Sequence, residues 1–211
     1  MEVRNHALLE ALEKKGFAIK DILDHNELIP FVKEIFQNQN LITRSYSGIT
    51  LSTIVVATAL LAYYIVKGEL DAFVPFGLGI AVTFLLIPIH EWIHGITYKL
   101  LGAKKVSYSA HWKKFYFTAE ADQFVVPEQS FYILAFSPFT VISFLCLILM
   151  VFFPPYYKLM GAGIFMLHTI FCGGDFGLAA YFYQHKNEEL VTFDDVVNKK
   201  TYFLSKTSPE D

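Results

Sequence analysis

The stretch "LLIPIHEWIHGITYKLLGA" (residues 85–103) sets His90, Glu91 and His94 inside a run otherwise apolar enough to cross a bilayer. A charged side chain near the bilayer centre costs at least about 2.5–3.5 kcal/mol on insertion scales, so such groups usually face the interior of a helix bundle and have a partner or a function. Whether the run is a membrane span, and what its three polar groups do there, decides both fold and chemistry.

Composition settles the first point. Of 211 residues, 54% are hydrophobic and only 18% charged, too apolar for an ordinary soluble domain and too few for several domains. The class expected is an α-helical polytopic membrane protein. A net charge of −3 offers no basic field of the kind that nucleic acid requires, so nucleic-acid partners are set aside. Cys146 and Cys172 both fall in apolar segments, where thiols act as small hydrophobes; neither a disulfide framework nor a cysteine zinc site is indicated. A cleavable leader is not expected, because the first strongly apolar run starts near Ile49 behind a charged region.

Four stretches reach the roughly 20 apolar residues that a spanning helix needs: about 49–67, 74–101, 131–153 and 158–184. Lysine and arginine collect before the first span (Lys14, Lys15, Lys33, Arg44), between the second and third (Lys99, Lys104, Lys105, Lys113, Lys114) and after the fourth (Lys186, Lys199, Lys200). Such residues stay on the cytoplasmic side, which predicts both termini and the middle loop inside. The chain then divides into a cytoplasmic amphipathic N-terminal region (1–48), a membrane core (49–185) and a cytoplasmic C-terminal tail (186–211). In the N-terminal region Leu28, Ile29, Val32, Ile35 and Phe36 recur at helical spacing, as an interfacial anchor or a surface packed on the spans. The middle loop, "KVSYSAHWKKFYFTAEADQF", is aromatic and β-branched and reads as a β-hairpin or small sheet turning around His111 to Lys114.

The second point turns on spacing. Residues four apart lie on one helix face, so His90 and His94 can offer imidazole nitrogens to one ion with Glu91 beside it. Zn²⁺ lowers the pKa of bound water to about 7 in favourable sites, and a neighbouring glutamate can carry that proton to a leaving amine. The plainer alternative is that Glu91 pairs with a histidine and merely ties helices together.

A catalytic zinc site needs a third protein ligand and an open position. Asp175, the only acid between Glu128 and Glu188, meets that need within "FCGGDFGLAAYF", where Gly173, Gly174 and Gly177 weaken the helix. His94 lies roughly seven residues before the end of its span and Asp175 roughly nine before the end of its own, so their depths differ by only some 3 Å. His168, two turns before Asp175, reads as a polar contact within the bundle or a cavity wall rather than a ligand. His111 and His185 read as interfacial residues, His6 and His25 have no metal spacing, and Asp194 and Asp195 read as solvated tail residues. Pro88 and Pro138 are each either a functional kink or an ordinary membrane-helix proline.

With HEWIHG in one span, a β-like loop, an LAFSPF span and GGD in a later one, residues 75–185 resemble a bacterial membrane family described as putative zincin peptidases. More distantly they resemble the site-2 protease class of intramembrane metalloproteases. The resemblance implies His90, His94 and Asp175 as zinc ligands, Glu91 as catalytic base, and a bacterial inner-membrane location. In that class the β-structure beside the motif helix is thought to receive the substrate as an added strand, which here is 104–125. The third-ligand context differs from the Asn-Pro-Asp-Gly or Leu-Asp-Gly of many site-2 proteases, and no PDZ-like insertion is present.

The function expected is a zinc-dependent intramembrane endopeptidase acting on a membrane protein or peptide near the cytoplasmic face of the lipid bilayer. Two alternatives stand beside it: a metal-dependent hydrolase or amidase acting on a lipid-linked bond, and a non-catalytic membrane scaffold with a protease-like fold.

Overall fold

The computed structural model describes residues 2–111 and 116–207. Among the described residues, three helices are long and apolar enough to cross a membrane: α3 (Leu41–Val66), α4 (Phe73–Leu100) and α5 (Glu128–Phe152). A bent pair, α6 (Pro155–Phe171) and α7 (Gly173–Gln184), which meet at 45° across Cys172, is long and apolar enough to make a fourth when taken as one span. The architecture is thus α-helical and polytopic, with a small amount of sheet. Leu51, Val55, Leu85, Phe144 and Leu145 stay exposed on these helices, as lipid-facing side chains do.

Helix boundaries follow local chemistry. Asn40 opens α3 with a capping box, its side chain accepting from the Thr43 N–H while the Thr43 hydroxyl takes the Asn40 N–H. Pro155 opens α6 at a position where a missing N–H costs nothing. The fourth span was expected to be one helix over 158–184; its break falls just before Gly173 and Gly174, where the backbone is least committed to helix.

Close approach of α4 and α6 rests on two glycines. A Cβ at Gly79 would collide with the Met160 carbonyl oxygen, and one at Gly163 with that of Phe76. Helices in lipid gain little from burying apolar surface, so small residues that let backbones touch define their contacts.

Both terminal regions are more ordered than the sequence suggests. The N-terminal region holds α1 (Glu2–Glu13) and α2 (Leu28–Gln37), with strand β1 (Ala18–Asp24) between them. The segment expected as a C-terminal tail folds into β5 (Glu188–Asp195) and β6 (Lys200–Thr207). With β4 (Val126–Pro127) they make a four-stranded antiparallel sheet in the order β1-β6-β5-β4, stapled by a Lys20 Nζ–Glu188 Oε1 ion pair of 2.6 Å. Its inner face, with Leu23, Leu190 and Phe203, shares one core with Phe131, Ala179 and Phe182 of the helix ends. Asp195 is buried, not solvated: it accepts from the Asn198 N–H at 3.0 Å and Nδ2 at 2.6 Å, shaping the β5–β6 turn. Asp194 accepts from the Thr201 hydroxyl at 2.7 Å and from the Tyr98 phenol at 3.4 Å.

The middle loop is a hairpin as expected, β2 (Ser107–His111) against β3 (Tyr116–Glu120), and the turn between residues 111 and 116 lies outside the described residues. Tyr108 of β2 seats on Gly95 so closely that a Cβ there would strike its phenol oxygen. The glycine of HEWIHG is therefore a docking point for the hairpin. On the other flank α2 packs on α7, with Val32 against Gly177.

Candidate metal centre

His90 and His94 lie one turn apart on α4, and both are at least nine-tenths buried. Asp175 stands in the first turn of α7, and the bend at Cys172 presents it to them. His90 Nε2 is 3.2 Å from Asp175 Oδ2, His94 Nε2 is 3.2 Å from Asp175 Oδ1, and the two Nε2 atoms are 3.2 Å apart. Bonds of about 2.0 Å to a tetrahedral ion place its ligand atoms roughly 3.3 Å from one another. The three donors therefore already stand at the spacing that such an ion requires, and their chemistry, two imidazoles and a carboxylate, suits zinc.

The tautomers agree. His94 Nδ1 lies 3.0 Å from the Leu134 carbonyl oxygen, which can only accept, so the proton is on Nδ1 and Nε2 keeps its lone pair. Leu134 is four residues before Pro138, and proline has no N–H to bond that carbonyl within the helix. The proline of LAFSPF thus frees an acceptor, and His94 and the Ser137 hydroxyl (2.9 Å) use it. Ser137 also accepts from Thr97 at 2.9 Å, tying α5 to α4.

Glu91 lies beside the triad with Oε1 4.0 Å from His90 Nε2, near the ion position without completing the set. The backbone amide of Ala119 approaches its carboxylate, bringing the outer edge of β3 to the site. Phe117, two residues back, lies along the same edge. These residues wall a cavity of about 290 Å³ that also takes in Thr83, Tyr98, Phe131 and His168. Leu28, at the start of α2, lines the cavity too, so the N-terminal region helps to cover it.

All four residues singled out from the sequence are brought together. The other histidines separate from them: His185 Nδ1 bonds the Tyr181 carbonyl at 2.9 Å, His6 pairs with Glu10, and the side chain of His111 lies outside the described residues. His25 is buried against Glu120, with Nδ1 3.3 Å from Oε1. Sequence reasoning missed the Leu134 carbonyl and the Ala119 amide, since backbone groups leave no residue signature; Pro138 was the one visible clue. It also treated Cys172 as a hydrophobe, whereas His90, His168 and Cys172 make a second group, among the described residues, able to hold a metal.

No curated protein and no solved structure matches the chain. A family model described as "Putative zincin peptidase" matches residues 83–190, from within α4, two turns before His90, to the start of β5. The match takes in His90, Glu91, His94 and Asp175, and its description implies zinc as the metal. The chain belongs to the putative zincin peptidase family, built here on a polytopic helical scaffold.

Proposed function

We propose that the protein is an intramembrane zinc endopeptidase that cuts a peptide bond of a membrane-associated substrate in the cytoplasmic half of the bilayer. The observation that carries this reading is the 3.2 Å triangle of His90, His94 and Asp175 beside Glu91, inside helices that can span a membrane. Lys99, Lys104 and Lys105 around the end of α4 and Lys186 after α7 support the cytoplasmic side.

His90, His94 and Asp175 would hold the ion and leave a fourth position open toward the cavity. Zinc bound there would supply Lewis acidity to the scissile carbonyl and acidify a water molecule. Glu91 takes a proton from the attacking water as its oxygen bonds to the carbonyl carbon. It then delivers that proton to the amine nitrogen as the C–N bond breaks. The β3 edge at Phe117 and Ala119 supplies main-chain hydrogen bonds to hold the substrate extended, which a helical segment must become before its carbonyl is exposed. The largely apolar cavity walls lower the local dielectric and strengthen each of these contacts.

The test is mass spectrometry of membranes from cells making the native protein or Glu91→Gln. The expected result is a set of new peptide termini within or next to spans, present only with the native protein. An unchanged peptide profile with altered lipids would replace the reading by the amidase one, and no difference in either would favour the scaffold.

A further inference from the structure

We propose that His168 is a positioning residue for the metal centre, acting through His90. The proposal rests on the reading that His90, His94 and Asp175 hold the metal. His168 is 2% exposed on α6, and its Nε2 lies 3.2 Å from His90 Nδ1. The two rings are tilted at 58° with centroids 5.4 Å apart, a side-on approach in which one ring nitrogen addresses the other.

The direction of the bond follows from the ligand set. Nε2 of His90 is the atom turned to Asp175 and His94, so in the metal-holding tautomer its proton is on Nδ1. His90 Nδ1–H then donates, and His168 Nε2 accepts with its lone pair. The proton of His168 is left on its own Nδ1, and the Cys172 sulfur one turn on lies 3.8 Å from both ring nitrogens. His94 is fixed in the same way by the Leu134 carbonyl. Each metal histidine therefore has one buried acceptor behind it, a freed backbone carbonyl for His94 and a side chain for His90.

The break at Cys172 gives this arrangement its geometry. On an unbroken helix His168 and Asp175 would be separated by roughly 10 Å of rise along one face. With the 45° bend, α7 brings Asp175 to the ligand side of His90 while the last turn of α6 holds His168 behind it. One broken span thus supplies both a ligand and the group that orients another ligand. An acceptor at this place keeps the His90 ring from rotating and fixes its tautomer, and loss of such a partner costs about 10–100-fold in metal affinity.

The experiment measures zinc affinity by chelator competition in detergent-purified full-length protein, with the visible spectrum of the cobalt-substituted form. Samples are the native protein, His168→Phe, which fills the volume without an acceptor, and His168→Gln, whose amide oxygen can accept. The expected result is one zinc per chain, weakened about 10–100-fold with an altered cobalt spectrum in His168→Phe and restored to within a few-fold in His168→Gln. Should His168→Phe not fold, His168→Leu against His168→Gln makes the same comparison. Native affinity and spectrum in the variant without an acceptor would overturn the proposal while leaving the metal reading intact. A second zinc, lost from His168→Phe and from Cys172→Ala, would overturn it by making His168 a ligand. Absence of zinc from the native protein would instead remove the metal reading on which the proposal stands.

Discussion

His94 Nε2 and Asp175 Oδ1 stand 3.2 Å apart although one lies near the end of α4 and the other opens α7, beyond two intervening helices. Two polar groups from separate helices meet at the distance of shared ligands, and Glu91 is beside them. Several outcomes are expected from that arrangement.

Glu91 sits too far from the triangle to be needed for holding an ion, at 4.0 Å from His90 Nε2. Glu91→Gln keeps the shape and a carbonyl oxygen in the same place, but it cannot take a proton. Zinc content should stay native while turnover falls by about 10²–10⁴, the usual range for loss of a general base. Metal analysis and a cleavage assay on one preparation check both halves.

Pro138→Ala should weaken the centre without touching a ligand. The backbone N–H that this substitution introduces competes for the Leu134 carbonyl that now takes the His94 proton at 3.0 Å. Helix stability should rise and zinc affinity should fall, by up to about tenfold, at the low end for a perturbed supporting contact. Thermal unfolding and chelator competition moving in opposite directions would be the signature.

Gly95→Ala removes the seat of Tyr108. A methyl on α4 forces the phenol away and shifts the hairpin that carries the β3 edge, while the helix itself gains from alanine. Catalytic efficiency should drop by about 10- to 100-fold, as expected for a displaced substrate-positioning element. Adding Tyr108→Ala clears the clash and should recover most of the loss.

The cluster under the sheet sets a pH dependence outside the spans. Burial, opposed by hydrogen bonding from Thr201, raises the Asp194 carboxyl to about 6, and neighbouring Glu120 pushes the same way. Burial lowers His25, but hydrogen bonding to Glu120 and the nearby Asp194 and Asp24 outweigh it and raise the imidazole above its ordinary value. Both groups thus bind protons more tightly folded than unfolded. Their contribution to stability is whole below the unfolded values and is lost as pH rises through the folded ones. Thermal stability should decline between about pH 4 and 6 as Asp194 ionises and again above the ordinary histidine range, and Asp194→Asn should abolish the first step.

The spans and the site were legible because both leave residue-level marks. Apolar length and excluded charge fix the helices, and His90, Glu91, His94 and Asp175 were conspicuous as polar groups in apolar surroundings. The terminal sheet was not legible: "AIKDILD" of β1 has a bulge between Ile19 and Asp21 that breaks its alternation, and its partner β6 lies at the far end of the chain. Asp194 and Asp195 looked like tail acids because the long-range pairing that buries them has no local signal. The role of Pro138 was likewise hidden, since a missing backbone bond is useful only when a donor from another helix arrives.

The most direct measurement is elemental analysis of protein purified without chelators, native and carrying Asp175→Ala. The account predicts one zinc per chain in the native protein and its loss in Asp175→Ala, with helical content unchanged. Zinc retained at full stoichiometry by Asp175→Ala would contradict the claim that α4 and α7 together build the centre.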